Sequence, residues 1–183
     1  MRAVVSFSLA LAAIFGLVYA VQGPVGSAPP DYSPTPRIRA GLMASPVRMN
    51  LRGKNRSLAG LGSYIVNAQG ACNDCHTNPP FLPGGDPYQN QPERINARHF
   101  LAGGVQFGPF TSANITPDAS GKPAGLTRSE FVQTIRTGHT DEHPQFGPFL
   151  QVMPWPDFAE MRDEDLYAVY EYLRSIPHAE PGP

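Results

Sequence analysis

The two cysteines of this 183-residue chain, Cys72 and Cys75, both lie in one five-residue run, CNDCH, with His76 directly after the second. On a helical turn, positions i, i+3 and i+4 share one face. Both sulfurs and the imidazole therefore project from the same side of a single turn, and whatever that turn holds must sit among the three of them.

Three chemistries use this set. Cys72 and Cys75 can form thioethers to the two vinyl groups of one porphyrin while His76 ligates its iron, the arrangement of covalently attached haem c. A disulfide across the motif would suit a thiol oxidoreductase, but that calls for a βαβ setting, which this sequence lacks. A zinc site would need a fourth ligand, which another histidine could offer. The His immediately after the second Cys favours one covalent haem.

The chain around the motif reads as three zones. MRAVVSFSLALAAIFGLVYAVQG has one positive charge, an apolar run and a small-residue site ending at Ala20. That is the layout of a secretory signal peptide over residues 1–20, predicting an exported, periplasmic protein. The same run is long enough to stay as a membrane anchor instead. Residues 21–56 include GPVGSAPPDYSPTP and are predicted to be a Pro-rich linker. That stretch is basic, with Arg37, Arg39, Arg48, Arg52, Lys54 and Arg56 against Asp31 alone. The folded domain is predicted over 57–177, with 178–183 as a tail.

From Ser57 onward 7 basic side chains face 14 acidic ones. An acidic body repels phosphate, which argues against nucleic acid and for a protein partner with a basic docking face.

Within the domain, Leu58, Leu61, Ile65 and Ala68 recur at helical spacing and predict a first helix running straight into CNDCH. Residues 77–123 are rich in Pro and Gly and without periodicity, a long irregular segment that is unusual unless it packs on a cofactor. Thr127-Arg-Ser-Glu130 is a capping box opening a helix that Gly138 ends. A last helix starts at Asp163-Glu164-Asp165, whose charges suit a helix N-terminus, and Pro177 closes it. No strand pattern appears, so the fold class is all-α, with three to four helices and long loops around one haem.

The second axial position separates an electron carrier from a ligand binder. Met153, in QVMPWPDF, stands on a loop restrained by Pro154 and Pro156, and a thioether ligand favours reduced iron. Met43, Met49 and Met161 are its rivals, each less well placed. His139 and His143, in GHTDEHP, could supply a histidine ligand or a distal catalytic group; two solvated histidines is the plainer reading. His99 and His178 read as surface residues. Trp155, the single tryptophan, is expected to pack at the porphyrin edge.

Taken together, GSYIVNAQGACNDCHT, LAGG, NITPD, VMPW and DEDLYAVYEYL make residues 57–177 resemble the class I cytochrome c domain. The likeness is greatest to the haem domains of cytochrome subunits of membrane-bound alcohol and gluconate dehydrogenases. It implies Cys72 and Cys75 as attachment points, His76 and Met153 as axial ligands to one iron, and electron transfer to or from a dehydrogenase or oxidase. It also implies close crossing of the first and last helices, with Gly60 and Gly62 admitting Tyr167 or Tyr170. A proline carbonyl, from Pro79, Pro80 or Pro83, would orient the His76 ring. Asn114, Thr116 and Arg136 are candidate polar contacts to the haem propionates or the methionine loop. Three departures stand out: one haem motif where those subunits have several, Leu126 in place of a common aromatic, and Arg162 where a Ser or Thr often opens the last helix.

Overall fold

Asn55 begins the first helix of the expected domain by accepting hydrogen bonds on its side chain from the Ser57 and Leu58 amides at 3.0 and 3.1 Å. An N-cap of this kind stabilises a helix by about 1 kcal/mol. The computed structural model to which this cap belongs describes residues 34–140 and 148–183. The predicted signal or anchor segment, the first part of the linker, and His143 lie outside the described residues.

Six α-helices occur among the described residues: α1 (Pro34–Ala44), α2 (Arg56–Tyr64), α3 (Cys72–His76), α4 (Arg128–Thr137), α5 (Trp155–Ala159) and α6 (Asp163–Leu173). One two-residue hairpin, β1 (Gln106–Phe107) and β2 (Phe110–Thr111), is the only paired-strand sheet among them. The all-α class holds. The helix number is higher than expected because α3 and α5 are single short turns and α1 lies in the predicted linker.

Residues 34–56 are folded, which corrects the linker reading over that stretch. Helix α1 docks on α2 through glycine: a Cβ on Gly41 would overlap the Gly60 carbonyl, and one on Gly60 would sit 2.8 Å from the Ile38 carbonyl oxygen. The buried Ser63 hydroxyl donates to the Gly41 carbonyl at 2.6 Å. The loop after α1 is held as well, with the Asn50 amide donating to the Ser175 carbonyl at 2.7 Å.

The opposite side of α2 meets α6. A Cβ on Gly62 would overlap the Ala168 carbonyl and come 2.8 Å from the Tyr172 Cβ. The close crossing is therefore present, but Ala168 and Tyr172 make it, not Tyr167 or Tyr170. Tyr170 instead packs against Phe131 with ring centroids 5.6 Å apart and donates its hydroxyl to the Leu126 carbonyl at 3.0 Å. The Arg128 guanidinium lies over the Tyr167 ring at 4.8 Å.

Val66, Phe100, Leu101, Phe131, Ile135, Leu166, Tyr172 and Leu173 form the main core, joining α2's extension, α4, α6 and the loop near residue 100. The capping box forms as read: the Thr127 hydroxyl accepts from the Glu130 amide and Glu130 accepts from the Thr127 amide at 2.7 Å, while Gly138 ends α4 at φ +67°. Helix α6 begins at Asp163 without a side-chain cap. Arg162 pairs with Glu164 at 2.7 Å instead. Such an exposed pair contributes little to stability.

Candidate functional site

Helix α2 does not run straight into the motif. Its last turn widens into a π-turn over Ile65–Gln69, whose closing bond runs from the Gly70 amide to the Ile65 carbonyl at 2.7 Å. Ala71 then takes the left-handed conformation at φ +46° before α3 starts at Cys72. π-turns and left-handed non-glycine residues both concentrate at functional sites. Here they turn the CNDCH helix out of the direction of α2.

The single turn of α3 carries Cys72, Cys75 and His76, as the spacing requires. Cys72 is half-buried, Cys75 is exposed, and neither forms a disulfide. Burial, reinforced by Cys75, pushes the Cys72 thiol up to about 12. Burial and then Asp74 raise Cys75 as well. Both thiols are therefore protonated near pH 7 in the absence of a bound group. No group of three His, Cys, Asp or Glu side chains among the described residues converges on a metal position.

The imidazole is fixed by a backbone carbonyl. His76 Nδ1 donates to the Ala113 carbonyl at 2.9 Å. Burial holds the ring below the usual histidine value against the opposing pull of that bond, so it is neutral near pH 7. With Nδ1 protonated and engaged, Nε2 keeps its lone pair for a ligand bond. The acceptor is thus Ala113, not Pro79, Pro80 or Pro83. The Pro79 and Pro80 carbonyls accept from the side chains of Asn96 and Asn73, at 3.0 and 3.3 Å.

Gly103 makes the approach of Ala113 feasible. A Cβ there would stand 2.5 Å from the Ala113 carbonyl carbon and from the Ser112 carbonyl oxygen, and its φ of +75° suits glycine. Its amide donates to the His76 carbonyl at 2.7 Å, and the neighbouring Leu101 amide donates to the buried Thr77 hydroxyl at 2.9 Å. The LAGG segment is therefore a plate between the end of α3 and the irregular segment holding Ala113.

Met153, Cys72 and Phe158 all pack, partly buried, against the main core. Met49 and Met161 pack on that core too, whereas Met43 is 81% exposed. Trp155 stacks on the bare face of Gly138, where any Cβ would strike its indole. His139 is exposed and meets Phe149 edge-on with centroids 5.9 Å apart. Arg136 joins α4 to the start of α6, donating to the Ala159 carbonyl and pairing with Asp163 at 2.6 Å. Asn114 and Thr116 bind residue 179: Asn114 donates to the Ala179 carbonyl at 2.8 Å and the Ala179 amide donates to the Thr116 hydroxyl at 3.3 Å. His99 and His178 sit on the surface yet are bonded, His99 to the Glu180 carbonyl at 2.7 Å and His178 to Glu180 and the Pro117 carbonyl.

Ala113 and Gly103 were not identifiable as site residues from the chain alone. A backbone acceptor has no side-chain signature, and the only hint was the place of LAGG and NITPD among the motifs.

Two neutral thiols and a neutral, oriented imidazole on one turn fit covalent haem: thioether sulfurs carry no charge, and a haem-ligating histidine is neutral. No protein-family model matches the chain. It is 26% identical over 122 residues to the cytochrome c subunit of the quinone-type alcohol dehydrogenase of Gluconacetobacter polyoxogenes, covering 66% of this chain and 25% of that protein. The cytochrome c subunit of gluconate 2-dehydrogenase from Pantoea cypripedii is 30% identical over 123 residues, covering 65% and 23%. The cytochrome subunit of fructose dehydrogenase from Gluconobacter japonicus is 27% identical over 116 residues, covering 63% and 21%. The chain thus spans about a quarter of the length of these curated relatives. Over about two thirds of its own length, the chain is similar to the cytochrome c subunits of alcohol, gluconate and fructose dehydrogenases.

Proposed function

We propose that this chain is a monohaem c-type cytochrome that passes single electrons in an exported or membrane-bound redox chain, with a dehydrogenase as one partner. The observation that carries the reading is the His76–Ala113 bond beside two neutral sulfurs on one turn. Bound haem c supplies a one-electron couple. Cys72 and Cys75 would hold it through thioethers, and His76 would ligate it through Nε2.

Met153 is the candidate second ligand, supported by its place on the same apolar cluster as Cys72. A thioether is neutral and soft, and with His opposite it biases the couple toward reduced iron. The chain itself is a carrier, transforming no substrate; its homologues are the cytochrome subunits of dehydrogenases. The acidic balance after Ser57 suits a basic docking face and salt-sensitive association. Permanent assembly in a dehydrogenase complex is favoured over a free shuttle by the relatives, each of which is a subunit. Among the described residues no helix is long and apolar enough to cross a membrane.

The test is export in a host with haem-attachment machinery, followed by mass spectrometry and a redox-titrated absorption spectrum. One covalent haem per chain with a methionine–iron charge-transfer band is expected. An unmodified chain, or binding of zinc instead, overturns the reading.

A further inference from the structure

Residues 178–183, expected to be a plain tail, are bound to the loop that carries the His76 acceptor. Asn114 follows Ala113 directly. Its amide group donates to the Ala179 carbonyl at 2.8 Å, and its carbonyl oxygen accepts from the Thr116 amide at 2.9 Å and hydroxyl at 2.6 Å. The Thr116 oxygen in turn accepts from the Ala179 amide at 3.3 Å. Thr116 is 3% exposed, so this ring of bonds is shielded from water.

Two further bonds hold the same segment. His178 Nδ1 faces the Pro117 carbonyl at 2.8 Å and Nε2 faces the Glu180 carboxylate at 2.9 Å. Both partners are acceptors, so the ring satisfies both by donating from both nitrogens when protonated. His99 closes the far side on the Glu180 carbonyl at 2.7 Å.

On its other face the 112–116 stretch is held by the Gly104 amide donating to the Ser112 carbonyl at 3.0 Å, the Val105 amide to the Ser112 hydroxyl at 3.0 Å and the Ile115 amide to the Leu101 carbonyl at 3.0 Å. Ala113 lies between these anchored residues and has no side chain able to anchor it. Its carbonyl shares one peptide unit with the amide of Asn114, and Asn114 is held by residue 179.

We infer that residues 178–183 form a strap that, through Asn114 and Thr116, sets the Ala113 carbonyl on His76 and so tunes the electron-donating strength of the imidazole. Asn114 and Thr116 are positioning residues. This role replaces the contact to haem propionates expected of them. The inference rests on the proposed haem ligation. A carbonyl accepting from Nδ1–H makes the ring more basic, which favours oxidised iron; weakening that bond raises the potential.

The experiment uses haem-loaded full-length protein, the same chain lacking residues 178–183, and the variants Thr116→Val and Thr116→Ser. Three readouts are taken: reduction potential, iron–imidazole stretching frequency, and amide hydrogen exchange at Gly104 and Ile115. Strap removal and Thr116→Val are expected to raise the potential, lower the stretching frequency and speed exchange at both amides. Thr116→Ser, which keeps the hydroxyl, is expected to restore wild-type values. Faster exchange with unchanged potential and frequency overturns the strap's role while leaving the cytochrome reading intact. A wild-type protein without covalent haem overturns both.

Discussion

Gly62 in α2 lies directly on Ala168 in α6, and a Cβ at Gly62 would overlap the Ala168 carbonyl. Backbone meets backbone at this point. Since both neighbours are main chain, neither can move aside as a flexible side chain would. Gly62→Ala is expected to destabilise the fold by ~3 kcal/mol, the upper end for overpacking a well-filled contact. A shift of the denaturation midpoint to lower urea, with unchanged slope, checks this; an unshifted midpoint contradicts it.

Tyr172 is fully buried, and its hydroxyl bonds to the Ser45 hydroxyl at 3.0 Å and accepts from the Asn67 side chain at 3.1 Å. It ties the loop after α1 to the π-turn and to α6 at once. In Tyr172→Phe, Asn67 keeps its bonds to Ser63 but Ser45 loses a cross-chain partner. The expected loss is about 1–2 kcal/mol, as for one buried hydrogen bond broken from one side. Equilibrium unfolding of haem-loaded protein measures it, and faster exchange near Ser45 should accompany it.

Met153 and Met161 both pack on the main core, so packing does not distinguish them. Ligation does. In Met153→Ala the charge-transfer band should vanish, the potential should fall and carbon monoxide should bind readily, whereas Met161→Ala should keep the wild-type spectrum. The reverse pattern would assign the ligand to Met161.

The strap should respond to pH through His178. Glu180 first, then the Pro117 carbonyl, holds its ring above the usual histidine value, with Asp118 adding to the effect. A raised native value means the strap's contribution is complete below the ordinary histidine pKa of about 6.5 and declines as pH rises through the native one. NMR titration of the His178 ring should place its midpoint above an ordinary histidine. Protection of the Ala179 amide should fall over the same range, and Glu180→Gln should lower the midpoint. A midpoint at the ordinary value would remove the charge from this contact.

The parts of the fold visible in the chain are those written in side chains. CNDCH, the Thr127–Glu130 box, Gly138 and the acidic start of α6 each state their own geometry. Helix α1 escaped because its docking relies on Gly41 against Gly60, which leaves a thin apolar pattern of Ile38 and Leu42 beside a Pro-rich flank. The His76 acceptor escaped for a related reason: a carbonyl at an alanine has no identity to read. Asn114 and Thr116 are legible only as polar residues of the NITPD motif, and their partner Ala179 lies more than sixty residues away. Local pattern carries no information at that range. Trp155 and Arg136 show the same limit, each bound to a neighbour in space that spacing along the chain does not indicate.

The bond between Asn114 and Ala179 also sets an order of events during biogenesis. His76 and its two cysteines precede Ala179 by about a hundred residues in the chain, so under the proposed export they would emerge well before the segment that completes their surroundings. Attachment enzymes would thus meet an open hairpin of chain rather than a finished crevice, and closure of the long loop onto residue 179 would be the latching step that follows. Slow pairing across such sequence distances is general for non-local contacts, and under the proposed haem attachment it would leave the cysteines accessible for the period in which they must react.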